Sequence, residues 1–508
     1  MKRTILIFGI SALFLSGCGG GDGNSQQQPG TSTSSVQMTT TTVAATSTSQ
    51  LATTTTASVA TTTTIVVTTT TTIPAVQGRT TGLFINEPGA AEGYTLVAPM
   101  MATTTYLLDN NGNFTQTWES TYTPGLGAYL LADGNLLRAG NTHNTTFTAG
   151  GAGGIVEEID QDGNVVWSYR LSDDQTCLHH DLEVLPGGNI LMIAWEMKNQ
   201  SEAIAAGRDP SRLGDGELWP DSIIEVDPST SEIVWQWQVW DHLVQEEDAT
   251  KANYGVVAQH PELIDLNSSD NPMGSADWTH FNSVAYVEAD DRILISVHGF
   301  SEVWVIDHST TTAEAAAHTG GASGKGGDLL YRWGNPETYG QGSSSDRKLY
   351  GQHDATWIPE GEPGAGNILL FNNGQGRPTG DYSSIEELTP PMNPDRSFSN
   401  GGGNGFGPDT IVWTYTAPNR EEFFSRNISG VQRLTNGNTL ICEGITGWIF
   451  ELNSLEEVVW KYVNPVTANG ILGATESIPM TPGGSQQNQV FKVRRYAPEY
   501  SGLSGFLP

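Results

Sequence analysis

The segment VEEIDQDGNVVWSY, residues 156–169, shows the pattern that decides the fold: an apolar strand, an acidic turn and a second strand that ends in aromatic residues. Each copy after the first follows another strand-turn-strand segment with a Gly-Asn or Asp-rich turn, and the first copy follows residues 92–99. Four strands in each of six copies predict an all-β chain folded as a six-bladed β-propeller. The other five copies lie at 106–118, 223–237, 303–307 with 329–333, 385–388 with 410–415, and 449–462.

A pair of β-sandwiches is the alternative architecture. The regular spacing of the copies and the lack of a long helical period favour the propeller. The segment QVFKVRRYAPEY, residues 489–500, is expected to complete a blade or to pack along the ring. Long insertions of the kind that usually carry function interrupt only blades three to five, so they would crowd one sector. They span 197–221, 241–277, 308–328 and 375–409.

The first 18 residues, MKRTILIFGISALFLSGC, have the basic start and apolar core of a secretory signal. The tetrapeptide that ends at Cys18 resembles the bacterial lipobox, which predicts a lipid anchor on this cysteine; an ordinary cleaved signal is the alternative. Residues 19–77 form a Thr-rich low-complexity tether, and 78–508 form the propeller domain. The expected location is the cell envelope, lipid-anchored at the outer membrane on its periplasmic or outer side.

The chain is strongly acidic, with 56 acidic and 23 basic residues and a formal net charge of −33. Such a surface repels nucleic acid. It also repels small anions unless a pocket concentrates the few available cations. Besides Cys18 the chain contains only Cys177 and Cys442, which the repeat alignment places on opposite sides of the ring, so no disulfide is expected between them.

Three of the ten histidines recur at one position of the repeat. Aligning the copies puts His180, His280 and His353 at the start of the innermost strand of blades three, four and five. The same position is Leu126 in blade two and Ser429 in blade six. Because innermost strands line the channel of a propeller, the three imidazoles are predicted to meet at one side of the funnel mouth.

Other polar residues near these strands receive different predictions. His298, at the end of the second strand of blade four, is a fourth candidate for the funnel, and Arg377 is expected to reach it from blade five. Asp181 and Asp354 follow a histidine directly, so they should face the other way and brace neighbouring strands. The remaining histidines are assigned to turns or insertions and receive no role: His143, His179, His242, His260, His308 and His318.

A histidine cluster supports two chemistries. One ring can act as a nucleophile on an oxygen-rich anion such as a sulfate or phosphate ester while its neighbours stabilise charge and move protons. Clustering should separate the pKa values, leaving one ring neutral while others carry the proton. Three histidines can instead hold zinc, copper or iron for a hydrolase or oxygenase. The spacing fits both, and a non-catalytic propeller that binds glycans or a protein partner is a third hypothesis.

These motifs resemble the bacterial arylsulfate sulfotransferase family, from about Gly82 to the carboxyl terminus. The matching stretches are NEPGAAEGYTLVAP (86–99), HHDLEVLPGGN (179–189), DWTHFNSVAY (277–286), ILISVHGFSEVWVID (293–307), GQHDATWIPEG (351–361) and NILLFNNGQGR (367–377). The family is a six-bladed propeller, in agreement with the repeat count.

The resemblance implies ping-pong transfer of a sulfuryl group from an aryl sulfate to a phenol, without a nucleotide donor, cofactor or metal. His353 would be the nucleophile that forms a sulfohistidine, with His180 and His280 binding the sulfuryl oxygens and moving protons. Asn282, in the same motif as His280, is expected to bind substrate. The family has an arginine where this chain has His298, so binding should become more pH-sensitive, or Arg377 should replace that arginine.

Overall fold

The computed structural model describes residues 77–269, 275–399 and 405–506. The predicted signal, the lipidated Cys18 and residues 19–76 of the predicted tether lie outside these ranges. No helix in the described ranges is both long enough and apolar enough to cross a lipid bilayer. The strands form six antiparallel sheets that correspond to the six predicted blades, which confirms the six-bladed propeller.

Each blade has four strands, in order from the channel outwards. Blade one contains Val490–Tyr496, Tyr94–Pro99, Thr104–Asp109 and Phe114–Glu119; blade two contains Pro124–Leu130, Leu136–Asn141, Gly154–Ile159 and Val165–Arg170; blade three contains Thr176–Val184, Ile190–Glu196, Asp221–Asp227 and Glu232–Gln238. Blade four contains Phe281–Val287, Arg292–Val297, Glu302–Asp307 and Tyr331–Trp333; blade five contains His353–Trp357, Ile368–Asn372, Ser384–Leu388 and Trp413–Tyr415; blade six contains Gly430–Arg433, Thr439–Glu443, Trp448–Leu452 and Val458–Val463.

The ring is closed by strands from both ends of the propeller sequence. Val490–Tyr496 is the innermost strand of blade one and pairs with Tyr94–Pro99. Gly82–Asn86 adds a fifth, outermost strand to blade six by pairing with Val458–Val463. The carboxy-terminal segment therefore completes a blade, one of the two predicted outcomes.

The acidic turn of the repeat has a clear local cause. In the copy at 156–169, the Asp160 carboxylate accepts the backbone N–H of Asn164 at 2.7 Å, while Gly163 adopts a φ of 87°. A positive φ of this size favours glycine, so Asp, Gly and Asn at this spacing fix a tight hairpin. Asp109 and Gly112 repeat the arrangement in blade one.

Short helices and strand pairs lie between the blade strands, some of them within the insertions and some outside. The α-helices are Gln200–Ala205 and Thr312–Ala315; the 3₁₀ helices are Pro210–Arg212, Val239–Asp241, Val257–Gln259, His298–Phe300, Pro336–Tyr339, Arg420–Glu422 and Ser501–Leu503. The short strands are Lys198–Asn199 with Glu217–Leu218, Leu243–Val244 with Ile264–Asp265, and Val466–Thr467 with Gly470–Ile471.

The core lies between neighbouring blades. Between blades three and four, for example, Ile193 and Ile223 belong to the same buried cluster as Ile295 and Trp304. Cys177 and Cys442 are both buried and free, which confirms the absence of a disulfide between them. The rigid packing of the blades fixes the starts of the innermost strands, and these starts carry the predicted histidines.

Candidate active site

The four predicted histidines form one row at the channel. The ring centroids of His180 and His280 are 4.6 Å apart, those of His280 and His298 are 4.8 Å apart, and those of His298 and His353 are 5.4 Å apart. His180 and His353 are buried, whereas the side chain of His280 retains 15% exposure. The structure thus brings together all four histidines singled out from the sequence.

Irregular pairing in the innermost strands places these rings. In blades three, four and five the register with the second strand shifts beside the histidine, as in a β-bulge. His180 and His280 adopt φ values of 53° and 51°, and Asp354 has a φ of 52°. Positive φ is uncommon for such residues, and bulges commonly re-aim side chains beside active sites. Simple strand alternation therefore does not describe this part of the chain.

His353 has partners that select one tautomer. Its Nδ1 lies 2.8 Å from the Asn373 side-chain oxygen and 3.2 Å from the Gly351 carbonyl, both of which are acceptors. Nδ1 therefore carries the hydrogen, and Nε2 keeps a lone pair that accepts the Ile428 N–H at 3.2 Å. Burial, together with the neighbouring charge of His280, lowers the pKa of His353 to about 4. At neutral pH this ring is an uncharged base whose Nε2 lone pair accepts the Ile428 N–H.

His280 has the opposite electrostatic character. Burial acts to lower the pKa of His280, but the Asp277 carboxylate, bonded to Nδ1, outweighs it, so this pKa lies above its usual value. The Nε2 hydrogen has no acceptor among the described residues. The pKa values of the row therefore separate as expected. The distribution differs from the expectation, however, because the pKa is raised for one ring and lowered for its three neighbours.

His179 and Asp221 extend the row behind His180. His179 Nε2 lies 2.6 Å from the Asp221 carboxylate, and its Nδ1 lies 2.8 Å from His180 Nδ1. The ring also stacks on Trp195 at 3.9 Å. Assigning His179 to a turn or insertion was wrong, because it belongs to the strand Thr176–Val184 and is buried. Strand alternation hid this residue, since a bulge is needed for two successive histidines to contact one another.

His180 is held neutral by these surroundings. Burial, then the charge of His280, lowers the pKa of His180 well below its usual value. If His179 donates its Nε2 hydrogen to Asp221, its Nδ1 can accept the Nδ1 hydrogen of His180. The Nε2 of His180 is then left as a proton acceptor beside the protonated His280.

The charge of Arg347 acts on His298, the residue at which this chain is expected to depart from the family's arginine. His298 is the first residue of a 3₁₀ turn, and burial, followed by the charges of His280, His353 and Arg347, lowers its pKa well below the usual value. Arg347 donates from Nη2 to the Ser301 hydroxyl at 2.8 Å and lies over the Tyr350 ring at 4.4 Å. A permanent cation from the 343–349 loop therefore acts on the row, and the sequence analysis missed it.

Arg377 and Asn282 occupy other positions. Arg377 donates to the Ser384 hydroxyl at 2.5 Å and to the Tyr382 carbonyl at 3.2 Å, and no contact in the described ranges joins it to the row. Asn282 is fully buried and donates to the Gln352 carbonyl at 2.8 Å, at the peptide just before His353. Substrate binding by either residue stays a prediction.

Asp181 and Asp354 brace the channel, as predicted. Lys492 Nζ lies 2.6 Å from Asp181 and 3.2 Å from Asp354, and Arg494 contacts Asp354 with both terminal nitrogens at 2.6 and 2.9 Å. Asp354 also accepts the N–H of Val431 in blade six. The cations of Arg494 and Lys492 overcome burial and hold the pKa of Asp354 well below its usual range. Blades three, five and six are thus tied to the closing strand beneath the histidines.

The row is not arranged as a metal site. Three ligands of one ion need donor atoms close together, and across the described residues only one group of His, Cys, Asp or Glu has all its donor atoms within 4.8 Å. That group contains none of the four histidines. A line of rings in which one pKa is raised and three are lowered is better suited to group transfer with proton movement.

The family model described as Arylsulfotransferase (ASST) matches residues 83–403. The arylsulfate sulfotransferase AssT of Escherichia coli O6:H1 (strain CFT073) is 24% identical over 395 residues, which cover 70% of this chain and 61% of that protein. The chain therefore spans less than two thirds of the length of this relative.

Solved structures give weaker likenesses. A protein of unknown function from Bacteroides caccae aligns with a TM-score of 0.42 and 12% identity, covering 80% of this chain and 99% of that one. Virginiamycin B lyase from Staphylococcus aureus aligns with a TM-score of 0.36 and 10% identity, covering 77% and 86%. The fold assignment rests on the six sheets themselves.

Proposed function

The chain belongs to the arylsulfotransferase family, and we propose that it moves a sulfuryl group from an aryl sulfate to a phenol through a sulfohistidine at His353. One observation carries the proposal. His353 is buried and neutral, and the Asn373 oxygen holds its hydrogen on Nδ1, so the Nε2 lone pair is the nucleophile. No nucleotide donor or cofactor is required for this step.

In the first half-reaction, His353 Nε2 forms a bond to sulfur while the bond from sulfur to the aryl oxygen breaks. The electron pair of that bond goes to the phenolate oxygen, which takes the proton of His280. The raised pKa of His280 suits a general acid, because the shift favours the protonated ring. The Ile428 N–H, which donates to the Nε2 lone pair over 3.2 Å, must leave it when Nε2 binds sulfur, and it can then donate to a sulfuryl oxygen.

In the second half-reaction, the phenolic oxygen of the acceptor attacks the sulfur and frees His353. By microscopic reversibility, the now neutral His280 takes the proton of the incoming phenol. His180, 4.6 Å away between ring centroids, supplies a second proton acceptor beside it. His298 adds a neutral ring between His280 and His353.

An apolar group next to the row suits the aryl ring. Phe491 lies 6.0 Å from His180 and 6.3 Å from His353 between ring centroids. It belongs to a small apolar cluster against which the partly buried Met100 and Ile445 pack. Contact with apolar side chains contributes binding energy without attracting the ester charge. This pairing of apolar surface and histidines suits an aryl sulfate better than a free sulfate ion.

The test is the intact mass of the purified protein after brief exposure to 4-nitrophenyl sulfate without acceptor. We expect a gain of one SO₃ group, mapped by digestion at alkaline pH to the peptide with His353 and discharged by added phenol. His353→Ala should lose both the adduct and nitrophenolate release while keeping the wild-type melting temperature. His260→Ala, which removes a half-exposed histidine of an insertion, is the matched control.

The other outcomes separate the remaining hypotheses. Full turnover in His353→Ala would refute the proposal. Nitrophenolate release without an adduct in the wild type would indicate direct hydrolysis or rapid discharge, which rapid-quench sampling distinguishes. If neither adduct nor release is observed with a panel of aryl sulfates, the chain is a binding propeller.

A further inference from the structure

A second histidine cluster lies outside the row, where two insertions meet. His242 comes from the 241–277 insertion, and His318 and Asp328 lie at 308–328. The Nδ1 atoms of His242 and His318 are 2.9 Å and 2.7 Å from the same oxygen of Asp328. Two imidazole nitrogens from separate segments therefore converge on one carboxylate oxygen.

The backbone fixes the tautomer of His242. Its Nε2 lies 2.8 Å from the Ala315 carbonyl, which can only accept, so Nε2 carries a hydrogen. In the neutral ring Nδ1 then presents its lone pair to an oxygen that also has only lone pairs. Either a second proton on the ring or a metal cation between the two atoms resolves this contact. A ring N–H donated to a backbone carbonyl is also the usual support of a metal-binding histidine.

The position of His242 is rigid, whereas His318 is accessible. His242 is fully buried and stacks on Trp237 with the ring planes 7° apart. Trp237 donates to the Gly327 carbonyl at 2.7 Å, and a side chain at Gly327 would collide with the His242 ring and the Ala315 carbonyl. His318 keeps 60% of its side chain exposed. An ion can thus enter from solvent and meet preformed ligands.

The dimensions suit a first-row transition metal. With bonds of about 2.0–2.1 Å in a tetrahedral site, neighbouring ligand atoms are about 3.3 Å apart. The distances from the Asp328 oxygen to the two Nδ1 atoms, 2.9 and 2.7 Å, therefore need to widen by only about half an ångström. Two imidazoles and a carboxylate form a donor set for Zn²⁺ or Fe²⁺, with water in the open position.

We propose that His242, His318 and Asp328 bind one divalent transition-metal ion, of the Zn²⁺ class, that joins the 241–277 and 308–328 insertions. The ion would replace the contacts of the two rings with Asp328 by three bonds to one centre. It is separate from the proposed sulfuryl transfer at His353.

The test uses the full chain, stripped with chelator and titrated with ZnCl₂ against a chromophoric competitor. We expect one ion per chain, and His318→Ala should weaken binding at least 10-fold. Because position 318 is exposed, this substitution should leave folding unaffected. Asp328→Asn, which keeps the shape of the side chain but removes its charge, should also weaken zinc binding. Co²⁺ in place of Zn²⁺ should give the visible absorption of a four-coordinate site, lost in both variants.

Two controls locate the ion. His260→Ala removes a histidine that lines the same cavity as His318 and should leave zinc binding unchanged. His353→Ala tests the histidine row and should also bind one ion. The inference is overturned if the wild type binds no zinc at micromolar concentration, or if the ion is lost in His353→Ala but retained in His318→Ala. Zinc should also slow proteolysis within 308–328 in the wild type and not in His318→Ala.

Discussion

Asn373 accepts the Nδ1 hydrogen of His353 at 2.8 Å, and this bond decides which nitrogen of the ring is left to react. The amide of Asn373 cannot turn away, because its nitrogen donates to the carbonyls of Ser425 and Ile428 at 2.7 and 2.8 Å. The orientation of the nucleophile is thus set by the loop that leads into blade six.

Replacing Asn373 should change both the rate and its pH dependence. Asn373→Ala leaves only the more distant Gly351 carbonyl to hold Nδ1, so kcat should fall by about 10- to 100-fold. Asn373→Asp places a negative charge there, which raises the pKa of His353 from about 4. Because the nucleophile must be neutral, the acid limb of kcat/KM should move to higher pH. An unchanged acid limb in Asn373→Asp would argue against His353 as the nucleophile.

The pH profile of the wild type should be bell-shaped. Activity requires neutral His353, which holds above about pH 4, and protonated His280, which is lost as pH rises through its raised pKa. Asp277→Asn removes the charge that raises this pKa, so the alkaline limb should move down while the acid limb stays in place. The loss of activity above the alkaline limb should be larger for donors whose phenol is a poor leaving group; an equal loss for all donors would contradict acid catalysis by His280.

His298→Arg tests the departure from the family. In the wild type the lowered pKa of His298 leaves this ring neutral near pH 7. A permanent cation at this position should lower KM for the aryl sulfate and leave kcat less affected. Arg347→Gln should raise KM, since it removes the cation already present. KM measured at low and high ionic strength checks the charge effect, which salt should weaken.

The buried cations of the closing strand should contribute strongly to stability. Lys492→Met leaves Asp181 without its ion-pair partner, at a cost of about 3 kcal/mol in the free energy of unfolding. Urea unfolding measures this cost. The double variant Lys492→Met/Asp181→Asn should regain part of the lost free energy of unfolding, because no unpaired carboxylate stays buried. Lys251→Met, which removes an exposed pair with Asp248, should cause little change. Equal free energies of unfolding for Lys492→Met and Lys251→Met would show that the buried ion pairs do not stabilise the fold.

The predicted lipid anchor has a direct test. Cys18→Ser removes the lipidated residue, so the protein should move from the membrane fraction to the soluble fraction of the producing cells. Metabolic labelling with a fatty-acid analogue should mark the wild type and not the variant. Continued membrane association of Cys18→Ser without label would support another mode of attachment.

The repeat could be predicted from the sequence because each of its parts depends on a few neighbouring residues. An apolar strand, a turn such as Asp160 to Asn164 and an aromatic-ended strand can each be recognised in a few residues, and six copies indicate a closed ring. The register of the histidines followed from aligning these copies. For both features the sequence contains the physical cause within one short window.

The missed features depend on distant chain segments or on irregular backbone. The pairing of Gly82–Asn86 with blade six joins residues almost 400 positions apart in the sequence. His179 was missed because a bulge breaks the alternation of the strand. Arg347 comes from a loop without any repeat signal. Asn373 lay inside a quoted motif, but its role needs the contact with His353.

The closing strand, Val490–Tyr496, is the last strand of the propeller to be synthesised. Until it emerges, Asp181 and Asp354 have neither Lys492 nor Arg494, and Phe491 does not yet lie beside His180 and His353. The nascent chain therefore holds all four histidines of the row before the ring that positions them exists. In the proposed mechanism His353 would react only once the ring is complete, so a chain that ends early would contain the proposed nucleophile without the residues that position it.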